Sequence, residues 1–220
     1  MKSINKNLFL GLLSLISIFL EVNQTHTQTF NARITSGLNY SQIRGDGLSG
    51  LNRPGLHAGL GLNLTTQSQW EWNMELLYNE RGSAGQFKIF PGSPSGGISL
   101  KYVDIPVYVA YRDWFDPNME DSGFYRMRYI VGLSAGRLLE SKISNLDINP
   151  HGDSAEVLRE FSKYNFSWLL GTAVFLNRSF SVHLRYTRSI SLLFNTKKNT
   201  DIRTNSLLES FLTFRISYHI

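Results

Sequence analysis

Apolar and polar residues alternate along most of this chain. In its last ten residues, FLTFRISYHI, the apolar side chains Leu212, Phe214 and Ile216 alternate with Thr213 and Arg215. Successive side chains of a β-strand point to opposite faces of the sheet, so this period of two predicts a strand with one apolar and one polar face. Eight segments share the pattern, and we predict eight strands. They begin at Phe30, Gly55, Trp70, Ile98, Phe124, Tyr164, Phe180 and Phe211.

The segments between the predicted strands alternate in length. Long segments follow the first, third, fifth and seventh strands, and shorter ones follow the others, although residues 113–123 exceed a tight turn. Aromatic residues of the apolar face cluster toward both strand ends, with aliphatic residues between them. Both features are typical of outer-membrane barrels. We therefore predict an all-β fold, an eight-stranded antiparallel up-and-down transmembrane β-barrel whose apolar face contacts lipid.

The N-terminal residues have the pattern of an export signal. Lys2 and Lys6 precede an uncharged run from Leu8 to Leu20, which is typical of a secretory signal peptide. The run is shorter than the roughly 20 residues that a helix needs to span a bilayer. We predict a signal peptide over residues 1–28, cleaved near Gln28, and a barrel domain over residues 29–220. A retained N-terminal anchor is the alternative.

Composition excludes several classes of site. The chain has no cysteine, which rules out disulfides, thiolate metal ligands, a cysteine nucleophile and a lipid-modified cysteine. The 22 basic and 17 acidic residues are spread along the chain, whereas a nucleic-acid-binding protein would carry a basic stripe. We therefore predict no cofactor, no metal and no nucleic-acid partner.

Many charged residues have the polar parity and are predicted to face the barrel interior. The interior of an eight-stranded barrel is just wide enough for side chains to fill. Arginine forks can satisfy carboxylates there, so we predict a structural charge network. Conduction, or a proton or ligand site, is the alternative. The predicted network comprises Arg33, Glu71, Glu75, Asp104, Arg126, Arg128, Arg185 and Arg215.

Histidine and serine residues on the same parity require a separate test, because some eight-stranded barrels are lipid-modifying enzymes. His57 lies near Ser41 of the adjacent strand, and His183 lies two residues from Ser181. A nucleophile needs a base within hydrogen-bonding reach and an orienting partner for that base. The sequence indicates no such set, and we predict no catalytic residues and no enzyme. A lipid A-modifying barrel enzyme is retained as an alternative.

Three further interpretations concern orientation and local structure. A soluble periplasmic lipocalin-type barrel would reverse the parities and direct Trp70, Trp72 and Tyr129 into a ligand cavity. Arg188 interrupts the apolar face of the seventh strand. It either snorkels toward lipopolysaccharide phosphates at the outer rim or is turned inward by a bulge. The segment DSAEVLREF, residues 153–161, predicts either a short helix or a solvated loop.

Four stretches resemble one family of barrels. They are RPGLHAGLGLNL, WNMELLYNERG, LKYVDIPVYVAY and YIVGLSAG, and together they resemble the PorT-like outer-membrane β-barrel proteins of Gram-negative bacteria. Tyr102-Val103-Asp104-Ile105-Pro106 is the most telling motif, although family members more usually carry Leu-Glu where this chain has Val103-Asp104. The chain also ends in Ile220 where barrel substrates commonly end in phenylalanine. The resemblance implies an eight-stranded barrel, and one founding member is associated with type IX secretion and gliding.

These observations predict a non-enzymatic protein of the cell outer membrane with a structural, adhesion or secretion-accessory role. Its predicted partners are outer-membrane lipid, lipopolysaccharide and secretion-machinery proteins. We predict that it is a monomer.

Overall fold

Eight antiparallel strands form a closed barrel in the computed structural model, which describes residues 29–44, 50–65, 68–84, 97–117, 123–144, 162–191 and 208–220. Each strand pairs with its neighbour in the chain, and β8 closes the barrel against β1. The predicted all-β, eight-stranded up-and-down fold is confirmed. The strands are β1 (Thr29–Arg44), β2 (Arg53–Thr65), β3 (Trp70–Ala84), β4 (Gly97–Asp116), β5 (Phe124–Ser144), β6 (Tyr164–Phe175), β7 (Phe180–Ser189) and β8 (Leu208–His219).

The apolar parity faces outward and the polar parity faces the lumen. Leu60 and Val131 are 59% and 52% exposed, whereas Glu75 and Arg215 are 2% and 0% exposed. An exposed apolar band around a buried ionic interior is the arrangement that lipid requires, and barrel closure leaves no strand edge unpaired.

The lipocalin-type alternative is wrong, because it requires the opposite parities. Trp70, Trp72 and Tyr129, which that alternative places in a ligand cavity, are all exposed on the outer surface of the barrel. Aromatic pairs also lie near the strand ends on this surface. Trp70 contacts Tyr111 with ring centroids 5.1 Å apart, and Trp168 contacts Tyr186 at 5.6 Å.

Several strands extend further than the alternation predicts. β4 continues to Asp116, so the connection to β5 shortens from the predicted residues 113–123 to residues 117–123. Phe115 lies opposite Tyr125 in this extension, with ring centroids 5.1 Å apart. β1, β3, β5 and β7 all end, before the long connections, at one end of the barrel, which we call the long-loop end. The opposite end is the short-turn end.

Pro106 lies in the middle of β4 rather than at a sheet edge. Pro106 has no N–H to donate, and this affects the pairing with only one of the two neighbouring strands. On the β5 side the pairing is regular, with Pro106 opposite Ser134. On the other side, the pairing of β3 with β4 is interrupted between Met74–Val107 and Leu77–Asp104. A proline that cannot donate to the ladder explains this gap.

Two predictions fall outside the described residues. These are the signal peptide at residues 1–28 and the short helix at residues 153–161. In the part of the chain that the structure describes, no helix has the length and apolar character needed to cross a membrane.

Candidate functional site

Three arginines share one carboxylate at the centre of the lumen. Glu75 Oε1 accepts hydrogen bonds from Arg33 Nη2 and Arg215 Nη2, each at 2.7 Å. Its other oxygen, Oε2, accepts from Arg185 Nη1 at 2.8 Å and from Arg215 Nη1 at 2.9 Å. Tyr108 Oη donates to Oε1 at 2.7 Å. We call Glu75, Arg33, Arg185 and Arg215 the central cluster, and it carries an excess of positive charge.

Two histidines border the central cluster without adding a carboxylate to it. His57 donates from Nδ1 to Asn79 Oδ1 at 2.6 Å, and its Nε2 faces Arg215 Nη1 at 3.4 Å. His183 Nδ1 lies 3.5 Å from Arg215 Nη2. Because a guanidinium can only donate, each ring accepts a hydrogen bond from Arg215 at that nitrogen.

A second group with the opposite charge balance lies nearer the long-loop end. Arg81 Nη2 contacts Asp104 Oδ1 at 2.9 Å, and Arg81 Nη1 lies 3.4 Å from Glu209 Oε2. Its guanidinium carbon lies 4.1 Å from the ring centroid of Tyr102 and 4.6 Å from that of Phe211. We call Arg81, Asp104 and Glu209 the outer cluster, in which one cation lies between two acids.

Sequence reasoning missed Arg81 and Glu209. Both have the polar parity, and both lie where a strand continues past its clearest alternation: Arg81 follows Asn79 in β3, and Glu209 precedes Phe211 in β8. Extending the same period by one step toward the long loops would have found them. Nothing in the pattern places them beside Asp104.

A third group lies at the short-turn end. Arg128 donates from Nε and Nη2 to the two carboxylate oxygens of Glu71, at 2.9 and 3.1 Å. Its guanidinium carbon lies 3.5 Å from the ring centroid of Phe175. Arg126 is only half-buried and pairs with Asp116 at 3.3 Å. The eight predicted lumen residues are thus distributed among separate groups: Arg33, Glu75, Arg185 and Arg215; Asp104; Glu71 and Arg128; and Arg126.

The two histidine–serine pairs differ. Ser41 does not contact His57, because its Oγ donates to Arg53 O at 3.3 Å and accepts from Gly82 N at 2.8 Å. Ser181 Oγ, in contrast, lies between His183 Nε2 at 2.8 Å and His219 Nε2 at 2.7 Å.

The tautomers of the second pair follow from its neighbours. His183 accepts a hydrogen bond from Arg215 at Nδ1, so the ring proton is on Nε2. This N–H donates a hydrogen bond to Ser181 Oγ. Ser181 can then donate to His219 Nε2. Among the described residues, no Asp or Glu forms a hydrogen bond with either ring, and no group of three potential metal ligands is present.

A cavity of about 420 Å³ occupies the short-turn half of the lumen. At that end it is lined by Thr65, Ser179 and Ile220. At its inner end it reaches Arg33 of the central cluster and the neighbouring His183. We call this cavity the inner vestibule. A second, much smaller cavity of about 10 Å³ lies beyond the central cluster, around His57 and Thr213. The buried side chains of the central cluster, among them Glu75 and Arg215, lie across the lumen between these two cavities.

Charged residues return to the outer surface at the long-loop end. Glu80, Lys101 and Glu140 lie opposite one another on β3, β4 and β5, one step beyond the outward-facing Tyr78. Glu140 lies 2.7 Å from Lys101 and 2.6 Å from Lys142, and these hydrogen bonds lower the pKa of Glu140 to about 2.

Arg188 also lies on the outer surface near this end. It pairs in regular register with Trp168 and Ser210, and its neighbours Thr187 and Ser189 are buried. The inward bulge that was the alternative for Arg188 is therefore wrong.

This chain is similar to several solved structures at low sequence identity. A comparison with curated proteins finds no match. Among solved structures, Ail, the attachment invasion locus protein of Yersinia pestis, is 13% identical, with a TM-score of 0.46 over 87% of this chain and 99% of Ail. Neisserial surface protein A is 11% identical, with a TM-score of 0.43 over 86% of this chain and 96% of that protein. OprG from Pseudomonas aeruginosa is 11% identical, with a TM-score of 0.34 over 87% of this chain and 94% of OprG.

One family model covers most of the barrel. The family described as outer membrane protein beta-barrel domain matches residues 22–195. The match includes β1 to β7, the strands that carry most of the central cluster and the Arg128–Glu71 pair at the short-turn end. The chain therefore belongs to the outer membrane protein beta-barrel domain family and is located in the cell outer membrane.

Proposed function

We propose that this protein is a PorT-like, non-enzymatic and non-conducting barrel that acts as a secretion accessory, with the long-loop end as its contact surface for secretion-machinery proteins. The supporting observation is the buried charge cluster in the middle of the lumen. Glu75 and Arg215 are both almost completely buried in the middle of the barrel. A buried, mutually paired charge cluster rigidifies a scaffold and leaves no wide path for solutes.

The surroundings of Ser181 support a non-enzymatic role. In a serine hydrolase, an acid orients the base and stabilises the imidazolium that forms during the reaction. His219 has no such acid partner among the described residues, and Arg33, Arg128 and Arg215 are its charged neighbours. Positive neighbours oppose a positively charged imidazolium, so His219 is a poor general base.

The proposed role of the eight predicted lumen residues is structural. Their contacts are ion pairs and hydrogen bonds to other lumen side chains, most of them buried. We also propose that the barrel is monomeric and that Arg188 and Lys101 contact lipopolysaccharide phosphates at the outer rim, where lysine and arginine side chains can snorkel. Residues 1–28 are removed in this proposal, and the mass of the protein purified from outer membranes tests their cleavage.

Conductance measurements test the non-conducting barrel. Purified protein inserted into planar bilayers should give no stable single-channel steps, and unfolded protein serves as the control for insertion artefacts. Regular conductance steps from heat-modifiable, folded protein would contradict this part of the proposal.

Gene deletion tests the accessory role. Deletion should reduce the amount of secreted protein in the medium while the outer-membrane protein profile stays constant, and the full chain should restore secretion. A chain carrying substitutions in residues 145–161 but folded normally should not restore it. Normal secretion in the deletion strain would assign the protein a structural or adhesion role instead.

A further inference from the structure

The inner vestibule has two chemically different walls. Strands β1 and β3 contribute Arg33 and Asn73, together with Glu71, to one wall. Strands β5 and β6 contribute Phe124, Ile130 and Ala173 to the other, together with Phe175, whose ring is covered by the Arg128 guanidinium at 3.5 Å. These strands lie on opposite sides of an eight-stranded ring, so a polar wall faces an apolar one across the cavity.

The vestibule is also cationic. Its described lining includes four arginines, Arg33, Arg112, Arg128 and Arg178, and one acid, Glu71. Both carboxylate oxygens of Glu71 already accept hydrogen bonds from Arg128, one from Nε and one from Nη2. Behind the vestibule floor lies the central cluster, where one carboxylate serves three guanidinium groups. Low-dielectric walls strengthen the resulting positive potential inside the cavity.

Arg33 connects the two features. Its Nη1 donates to Asn73 Oδ1 at 2.8 Å, while Nη2 donates to Glu75 and Tyr108. A guanidinium Nη carries two protons, so Nη1 retains one donor at the floor of the vestibule. The side chain is 3% exposed, and an anion that reached this donor would form a charge-assisted hydrogen bond away from bulk water.

The apolar wall is continuous and buried. Ile130, Ala173 and Phe175 belong to one hydrophobic cluster with Ala110 and Leu169, and Phe124 packs against it with its ring 5.4 Å from that of Phe175. Small alanine side chains leave room on this wall. A cavity of about 420 Å³ has the size of a small-molecule site, for which roughly 300–1,000 Å³ is usual.

We propose that the inner vestibule binds an amphipathic carboxylate, a small organic acid with an apolar body, that enters from the short-turn end. The carboxylate contacts Arg33 at the floor, and the apolar body packs against Phe124 and Ile130. This inference is independent of the proposed secretion role, because it concerns the opposite end of the barrel from the long loops.

Titration calorimetry of the folded full barrel in an uncharged detergent tests the proposal, with three small probes and protein-free micelles as the blank. The probes are 3-phenylpropionate, its neutral amide and acetate. Phenylpropionate should bind, and the amide and acetate should each bind at least about tenfold more weakly, because each lacks one of the two interactions. Equal binding of the acid and its amide would overturn the proposal, as would the absence of phenylpropionate binding.

Variants locate the site. Ala173→Phe fills the vestibule and should abolish binding, whereas Val174→Phe changes the next residue of β6, which faces lipid, and should leave binding unchanged. A folded barrel changes its gel mobility on boiling. If Ala173→Phe shows no such change, Asn31→Trp, which obstructs the cavity from β1, supplies a second test. Unchanged phenylpropionate affinity in a folded vestibule variant would overturn the proposal.

Discussion

The central and outer clusters have opposite charge balances within one lumen. In the central cluster, Glu75 accepts hydrogen bonds from three arginines, whereas in the outer cluster Arg81 lies between two acids. Each cluster therefore depends on its minority charge. Loss of Glu75 leaves the most uncompensated charge in the central cluster, and loss of Arg81 leaves the most in the outer cluster. The number of buried ionic partners determines how much stability each loss costs.

Glu75→Gln should cause the largest loss of stability, because it leaves three buried guanidinium groups without a carboxylate. We expect about 4 kcal/mol, the usual cost of breaking a buried ion pair. Urea unfolding of the refolded barrel in micelles measures this loss. Glu80→Gln is the matched control, since Glu80 lies on the same strand but faces outward. Equal effects of the two variants would contradict the central role of Glu75.

Asp104→Asn should destabilise the barrel less than Glu75→Gln. Arg81 keeps Glu209 as a charged partner, and Asn retains the acceptor that Arg81 uses. We expect about 2 kcal/mol, within the range for a hydrogen bond to a charged group. The same urea titration measures it. A loss as large as that for Glu75→Gln would mean that Glu209 gives Arg81 no compensation.

Gly136→Ala should destabilise the outer cluster by about 1 kcal/mol, the lower part of the range for overpacking. A Cβ at Gly136 would overlap Asp104 Oδ1, so Asp104 and its ion pair with Arg81 would have to move. The double variant of Gly136→Ala with Asp104→Ala tests this cause, because removal of the carboxylate also removes the overlap. The loss of unfolding free energy in the double variant should then be smaller than the sum of the two single losses. Full additivity would place the strain elsewhere.

The ion pairs on the outer surface should have the smallest effect. Glu140→Gln should lower the urea midpoint only slightly, since exposed ion pairs are screened by solvent and contribute little. The low pKa of Glu140 implies stabilisation that is present above the ordinary glutamate value and is lost as the pH falls through about 2. Carbon-13 NMR of the Glu140 carboxyl should show a midpoint below the ordinary glutamate pKa, and a midpoint at the ordinary value would show that Lys101 and Lys142 do not hold the group.

The alternation of side chains determined most of the fold. A period of two assigns each residue to a face without knowledge of its neighbours, and this was enough to predict eight strands and an outward-facing Leu60. The strand ends were less predictable, as β4 and β5 show. β4 continues to Asp116 and β5 to Ser144. The β4 extension is stabilised by the Phe115–Tyr125 contact, which is not visible in either segment alone.

Apart from Arg81 and Glu209, the sequence by itself determined which charged residues enter the lumen, and only the tertiary structure decided which of them meet. Parity specifies a face, but the height of a side chain depends on strand tilt and on the register between neighbouring strands. Glu75 and Arg215, for instance, belong to β3 and β8, which are not adjacent, and they meet across the lumen. The two-walled vestibule has the same origin, because residues of β1 and β6 face each other only after the ring has closed.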